Sequence, residues 1–191
     1  MRKRFIQFLH SLYNTKSMET KVKKVILFSI LFLFLASTES FPLDKIEKEF
    51  SLRYGKINPI SKELKRNTNR LQTIAKDLGS IEANFSSPTE VMAASVVPLE
   101  LEKIAVVCLY EDQLLIISLA FNDAQLGLIF NKQKRRIDGA SIIINECLHR
   151  IRVLSPFLKD TESLNLVDEA KEVIHSCLNL LDKAIEAWKP N

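Results

Sequence analysis

The chain has 191 residues, 47% hydrophobic and 26% charged, a composition that suits burial of a real core and excludes a low-complexity or disordered protein. Only four Gly and six Pro leave little turn material for the many short strands of a sandwich or barrel, so helices are favoured before any periodicity is read. The net charge of +4 resides in residues 1–40, where seven Lys/Arg against two Asp/Glu give a surplus of five; the remaining −1 excludes general electrostatic attraction to nucleic acid.

Residues 1–40 read as a leader. Val25 to Ala36 is an uncharged block led by Lys21, Lys23 and Lys24 and followed by Ser37, Thr38 and Ser40, the three-part plan of a secretory signal peptide. It is too short for a transmembrane helix, which needs ~20 apolar residues. Thr38 and Ser40 place cleavage before Phe41, and Met18 is the expected start because it opens a leader of ordinary length. A mitochondrial-type presequence competes, since no acid precedes Glu19, but it does not need the lysine-led apolar block. Export to the periplasm or extracellular space follows, with no stable membrane span once the leader is removed.

Residues 41–191 read as one all-α domain, an up-and-down bundle of about four helices. From Leu43 to Phe85 apolar residues alternate at spacings of three and four, interrupted only by Arg53 and Asn67, which is a coiled-coil-like heptad seam. Pro59 lacks an N–H and crowds the carbonyl of Gly55, four residues back, so a kink or break near Gly55–Pro59 is expected, with pieces at about Leu43–Tyr54 and Ile60–Asn84. Asn67 is a candidate register-setting or oligomer-setting residue on the seam; the other reading leaves it where the seam is exposed. Asn84-Phe85-Ser86 matches a glycosylation sequon.

Ser87 as N-cap, Pro88 at the first helical position and Glu90 as reciprocal partner mark the next helix start. After Pro98, a mostly apolar central helix is expected over Leu99–Phe130, its polar residues Glu100, Lys103, Glu111, Ser118, Asn122 and Gln125 forming one narrow strip. A buried strand pair, Ile104–Tyr110 and Leu114–Phe121, is the rival reading, although no Gly or Asn marks a hairpin turn. The cations Lys132 to Arg136 read as the end of this helix, with an acidic partner or anionic lipid as the alternative. A third helix over about Ile137–Leu158 should bury Ala140, Ile143, Ile144, Cys147, Ile151 and Leu154. The fourth, about Ser163–Trp188, should bury Leu166, Ala170, Val173, Ile174, Cys177, Leu181, Ala184 and Trp188, antiparallel to the third across a short turn.

Glu146 with His149 and Glu172 with His175 repeat the Glu-x-x-His spacing by which helical bundles hold di-metal carboxylate sites. Each pair falls on the side of its helix away from the apolar residues, so solvated neighbours are expected and no metal or cofactor is assigned. Cys147 and Cys177 lie at nearly equal heights on facing helices and permit a disulfide in an oxidising compartment. Cys108 has no partner at matching height and reads as a free buried thiol, with no basic neighbour to activate it. Four Gly in total exclude the glycine-rich phosphate loops and the nucleophile elbow.

The sequence therefore points to an exported, non-enzymatic bundle acting by protein–protein binding, self-association or a structural role. The alternative is a carrier holding a small apolar ligand against the central helix. A remoter one is a metal-dependent enzyme using the two Glu-x-x-His pairs.

Overall fold

The computed structural model describes residues 43–81 and 87–189; the leader, the Met18 start and the Asn84-Phe85-Ser86 sequon lie outside them. Four α-helices follow in order: α1 (Leu43–Ser80), α2 (Pro88–Ser118), α3 (Asp123–Leu154) and α4 (Thr161–Trp188), with a 3-10 turn at Ser155–Phe157 before α4. There is no strand among the described residues, which removes the strand-pair reading of 104–121. The helices form an up-and-down bundle in which α1 and α3 each lie between α2 and α4. One contiguous apolar core draws on all four.

The seam of α1 is buried where expected: Ile57, Leu64, Leu71 and Ile74 are fully enclosed. Its two polar interruptions are buried as well, Arg53 at 6% and Asn67 at 8% exposure. Asn67 is therefore not at an exposed part of the seam; its Nδ2 donates to Ser176 Oγ on α4 at 2.9 Å. The expected break at Gly55–Pro59 does not occur, because α1 is one helix through both residues. Pro59 cannot donate to the Gly55 carbonyl, but both residues lie on the exposed side, where the vacant acceptor is open to solvent.

Helix α2 starts as read from the sequence, with Glu90 N donating to Ser87 Oγ at 3.2 Å and Pro88 in the first turn. It continues through Pro98 but ends at Ser118, well short of Phe130. Leu119, Ala120 and Phe121 close the last turn with bonds to carbonyls three residues back. Asn122 then turns extended and opens α3 with a reciprocal capping box: Gln125 N donates to Asn122 Oδ1 at 2.8 Å, and Asn122 N to Gln125 Oε1 at 3.0 Å. This corrects two expectations together, since the cations 132–136 lie inside α3 and cap no helix end.

Helices α3 and α4 present most of the expected core residues, with Ile143 exposed and Leu154, Leu166 and Val173 only partly buried at the core's edge. Ala140, Ile144, Cys147 and Ile151 are buried, but Ile143 is 40% exposed and turned toward the flank of the bundle. On α4, Ala170, Ile174, Cys177, Leu181, Ala184 and Trp188 are all buried. Asp160 caps α4 by accepting from Ser163 N at 2.6 Å.

Candidate functional site

The polar strip of α2 determines which way that helix is rolled. Glu90, Glu100, Glu111 and Ser118 recur every two or three turns on one side, and the fold spends that side on α3 and α4 rather than on water. Arg150 of α3 clasps Glu100 with two bonds, Nε to Oε1 at 2.8 Å and Nη2 to Oε2 at 3.0 Å. Three turns along, Arg136 Nη2 lies 3.1 Å from Glu111 Oε2, and at the other end Lys159 Nζ lies 3.3 Å from Glu90 Oε2. These three acid–cation rungs set the antiparallel register of α2 against α3 and the turn after it.

Rolling the strip sideways leaves an apolar line facing outward. Met92, Leu99, Val106, Tyr110 and Ile117 are exposed at heptad-like spacings, with Leu99 at 61% and Val106 at 62%. The opposite side of the same helix, Val97, Leu101, Ile104, Ala105 and Cys108, is fully buried. A helix apolar on both faces belongs between two layers, yet among the described residues only one layer covers it. The neighbouring flank of α3 adds Ile142, Ile143 and Val153, all exposed. A shallow groove of about 400 Å³ runs along it, lined by Ile142, Asn145, Glu146, His149 and Arg150. At on the order of 100 Å² per exposed side chain, the combined patch reaches roughly 800 Å², beyond what a typical monomer exposes in one place.

At the α2–α3 turn the interior is polar. Arg136 lies with its guanidinium carbon 5.3 Å from the Trp188 ring centroid, and Trp188 Nε1 donates to Ser118 Oγ. Ser61 Oγ of α1 donates to Asp112 Oδ1 nearby at 2.5 Å. Glu111 Oε2 and the three guanidinium nitrogens of Arg136 are enclosed without a directed hydrogen bond, so that pair is a charge contact of poor angular fit. Burial pushes the Glu111 carboxyl upward, with Arg136 opposing only in part. Sequence reasoning missed this cluster: it set Glu111 in the polar strip of a single central helix and Arg136 at that helix's end. The signal that could have found it was Asn122-x-x-Gln125, a capping-box pattern that places a helix start before the cations.

The cysteines are all free and buried, and none is at disulfide distance from another. The expected Cys147–Cys177 bridge is not formed, because equal height on two helices does not make the sulfurs face each other. Cys177 instead neighbours Cys108 in the core, and the two thiols act on each other, raising Cys108 and lowering Cys177; Asn67 also lowers Cys177. Cys108 thus has a partner that sequence reasoning did not find. Cys147 receives Arg150 Nη2 at 3.4 Å, and its thiol is pushed up to about 11 by burial first and by Glu100 second.

The two Glu-x-x-His pairs are not brought together. Glu146 and His149 are exposed on the groove of α3, while Glu172 and His175 are exposed on α4, where His175 Nε2 lies 3.2 Å from Arg152 Nη2. Among the described residues no three His, Cys, Asp or Glu side chains cluster as metal ligands, and no helix is long and apolar enough to cross a membrane. Comparison with protein-family models, with curated proteins and with solved structures gave no match.

Proposed function

We propose that this chain is an exported, non-enzymatic binding module that works by presenting the outer face of α2 and α3 to another protein. The observation that carries this reading is the exposed line Met92, Leu99, Val106, Tyr110 and Ile117 on a helix whose other face is already committed to the core. Such a line is costly to leave in water, at about 25 cal/mol for each Å² of apolar surface, and covering it is the use to which bundle faces of this kind are put. Export rests on the lysine-led apolar block at residues 25–36. Glu146/His149 and Glu172/His175 lie apart on α3 and α4 and do not form one site.

Photo-crosslinking tests it in the producing cell. A benzophenone side chain placed at Val106 of the full chain is expected to give protein adducts, and one at exposed Lys183 on α4 to give none. Adducts from both positions alike, or from neither, would overturn the reading. Adducts of small-molecule mass at Val106 would replace it with the apolar-ligand carrier.

A further inference from the structure

We infer that the partner covering this face is a second copy of the same chain, an inference that rests on the binding-face reading above. The Glu100–Arg150 rung places Lys103 one turn along α2 and level with Glu146, one turn back along α3. Both side chains are exposed; neither is hydrogen-bonded among the described residues, and Lys103 lies close enough to Glu100 to help Arg150 lower its carboxyl. One cation and one anion thus sit side by side at the middle of the face, with apolar residues beyond them toward each end.

That arrangement is complementary to itself. A two-fold axis parallel to the helices lays α2 of one copy over α3 of the other at equal height. Lys103 then meets Glu146 of the second copy, Val106 meets its Ile142 and Ile143, and Leu99 meets its Val153. The same three contacts repeat with the roles of the copies exchanged, as an isologous interface requires. The patch of roughly 800 Å² per copy is also the share that each partner contributes to a stable interface of standard size.

Sedimentation velocity on the purified full-length chain, with charge exchange, tests this. The wild type is expected to sediment as a dimer. Lys103→Glu alone and Glu146→Lys alone each set like charges against each other twice and are expected to weaken the dimer at least tenfold. Mixing these two variants in equal amounts restores both opposite-charge contacts and is expected to return the dimer as a heterodimer. A wild-type monomer throughout the micromolar range, single variants that dimerise like the wild type, or a mixture that stays monomeric would each overturn the inference. Association through residues 25–36 would ignore the exchange and so counts against it. Crosslinking from Val106 to a different protein, with a monomeric wild type, would overturn self-pairing while leaving the binding face in place.

Discussion

Glu100 and Arg150 form a two-bonded pair, at 2.8 and 3.0 Å, across the boundary between α2 and α3. This pair, with Glu111–Arg136 three turns away, holds the polar strip of α2 against its neighbour and thereby turns Leu99 and Val106 outward. Removing one partner should be measurable: with the Arg150 side chain 40% exposed, solvent screening limits the loss for Glu100→Gln to about 1 kcal/mol in urea unfolding. A double cycle with Arg150→Met should show that most of this is coupling between the two residues.

The two acids of the strip predict opposite pH behaviour. Arg150 holds the Glu100 carboxyl below its ordinary value. Its stabilisation is present above the unfolded value of about 4.3 and is lost as pH falls through the lower folded value. Glu111 is displaced upward, mainly by burial, so the folded chain holds that proton longer than the unfolded one, and stability declines as pH rises from about 4.3 through the higher folded value. Glu111→Gln should flatten the second decline, and Glu100→Gln the first, in unfolding free energies measured from pH 3 to 8.

Thiol counting separates free cysteines from a bridge. Under non-reducing conditions the folded chain should resist alkylation, because Cys108, Cys147 and Cys177 are fully enclosed and the Cys147 thiol is pushed up to about 11. In denaturant it should take up three alkyl groups, read as mass. Uptake of one would mean that two of these sulfurs are bonded in solution.

At the exposed flank of α1, Gly55 and Pro59 weaken the helix without compensating contacts. A methyl group added at Gly55 would meet nothing within 4 Å. Gly55→Ala should therefore stabilise by about 0.5–1 kcal/mol, and Pro59→Ala by up to about 3 kcal/mol through the restored N–H, both seen as higher urea midpoints.

Trp188 is the only tryptophan, so its fluorescence reports on the polar cluster at the α2–α3 turn. Being 2% exposed, it should emit in the blue range typical of a buried indole and shift red together with the loss of helical circular dichroism. Trp188→Ala should cost about 3–5 kcal/mol by leaving a cavity and freeing Arg136 and Ser118 of their shared neighbour.

Much of the fold was legible because the signals were local and periodic. The seam of α1, the Ser87–Pro88 start and the inward line of α4 follow from spacing alone. What could not be read was rotation and pairing. An apolar run such as 99–118 has no polar face strong enough to say which side meets water, and its narrow strip of Glu100, Glu111 and Ser118 does not by itself say whether it meets water or a neighbouring helix. Only the facing arginines, 36 and 50 residues away in sequence from Glu100, show that the strip is an internal seam. For the cysteines, level could be judged from the turn, but direction depended on how α3 and α4 are each rotated about their own axes. At Pro59 the sequence allowed a kink or a break, and the chain avoids the break because the site faces solvent.

The rotation of α2 carries the whole account, and adjacent residues test it most directly. Ala105 is fully buried and Val106 is 62% exposed. Urea unfolding of Ala105→Lys and Val106→Lys, followed by circular dichroism, should give a chain that is unfolded or destabilised by several kcal/mol for the first, since a lysine charge has no place in that core. The second should stay folded, within about 0.5 kcal/mol of its own monomeric reference, Val106→Ser. A folded Ala105→Lys beside an unfolded Val106→Lys would show that α2 is turned the other way, and would take the binding face with it.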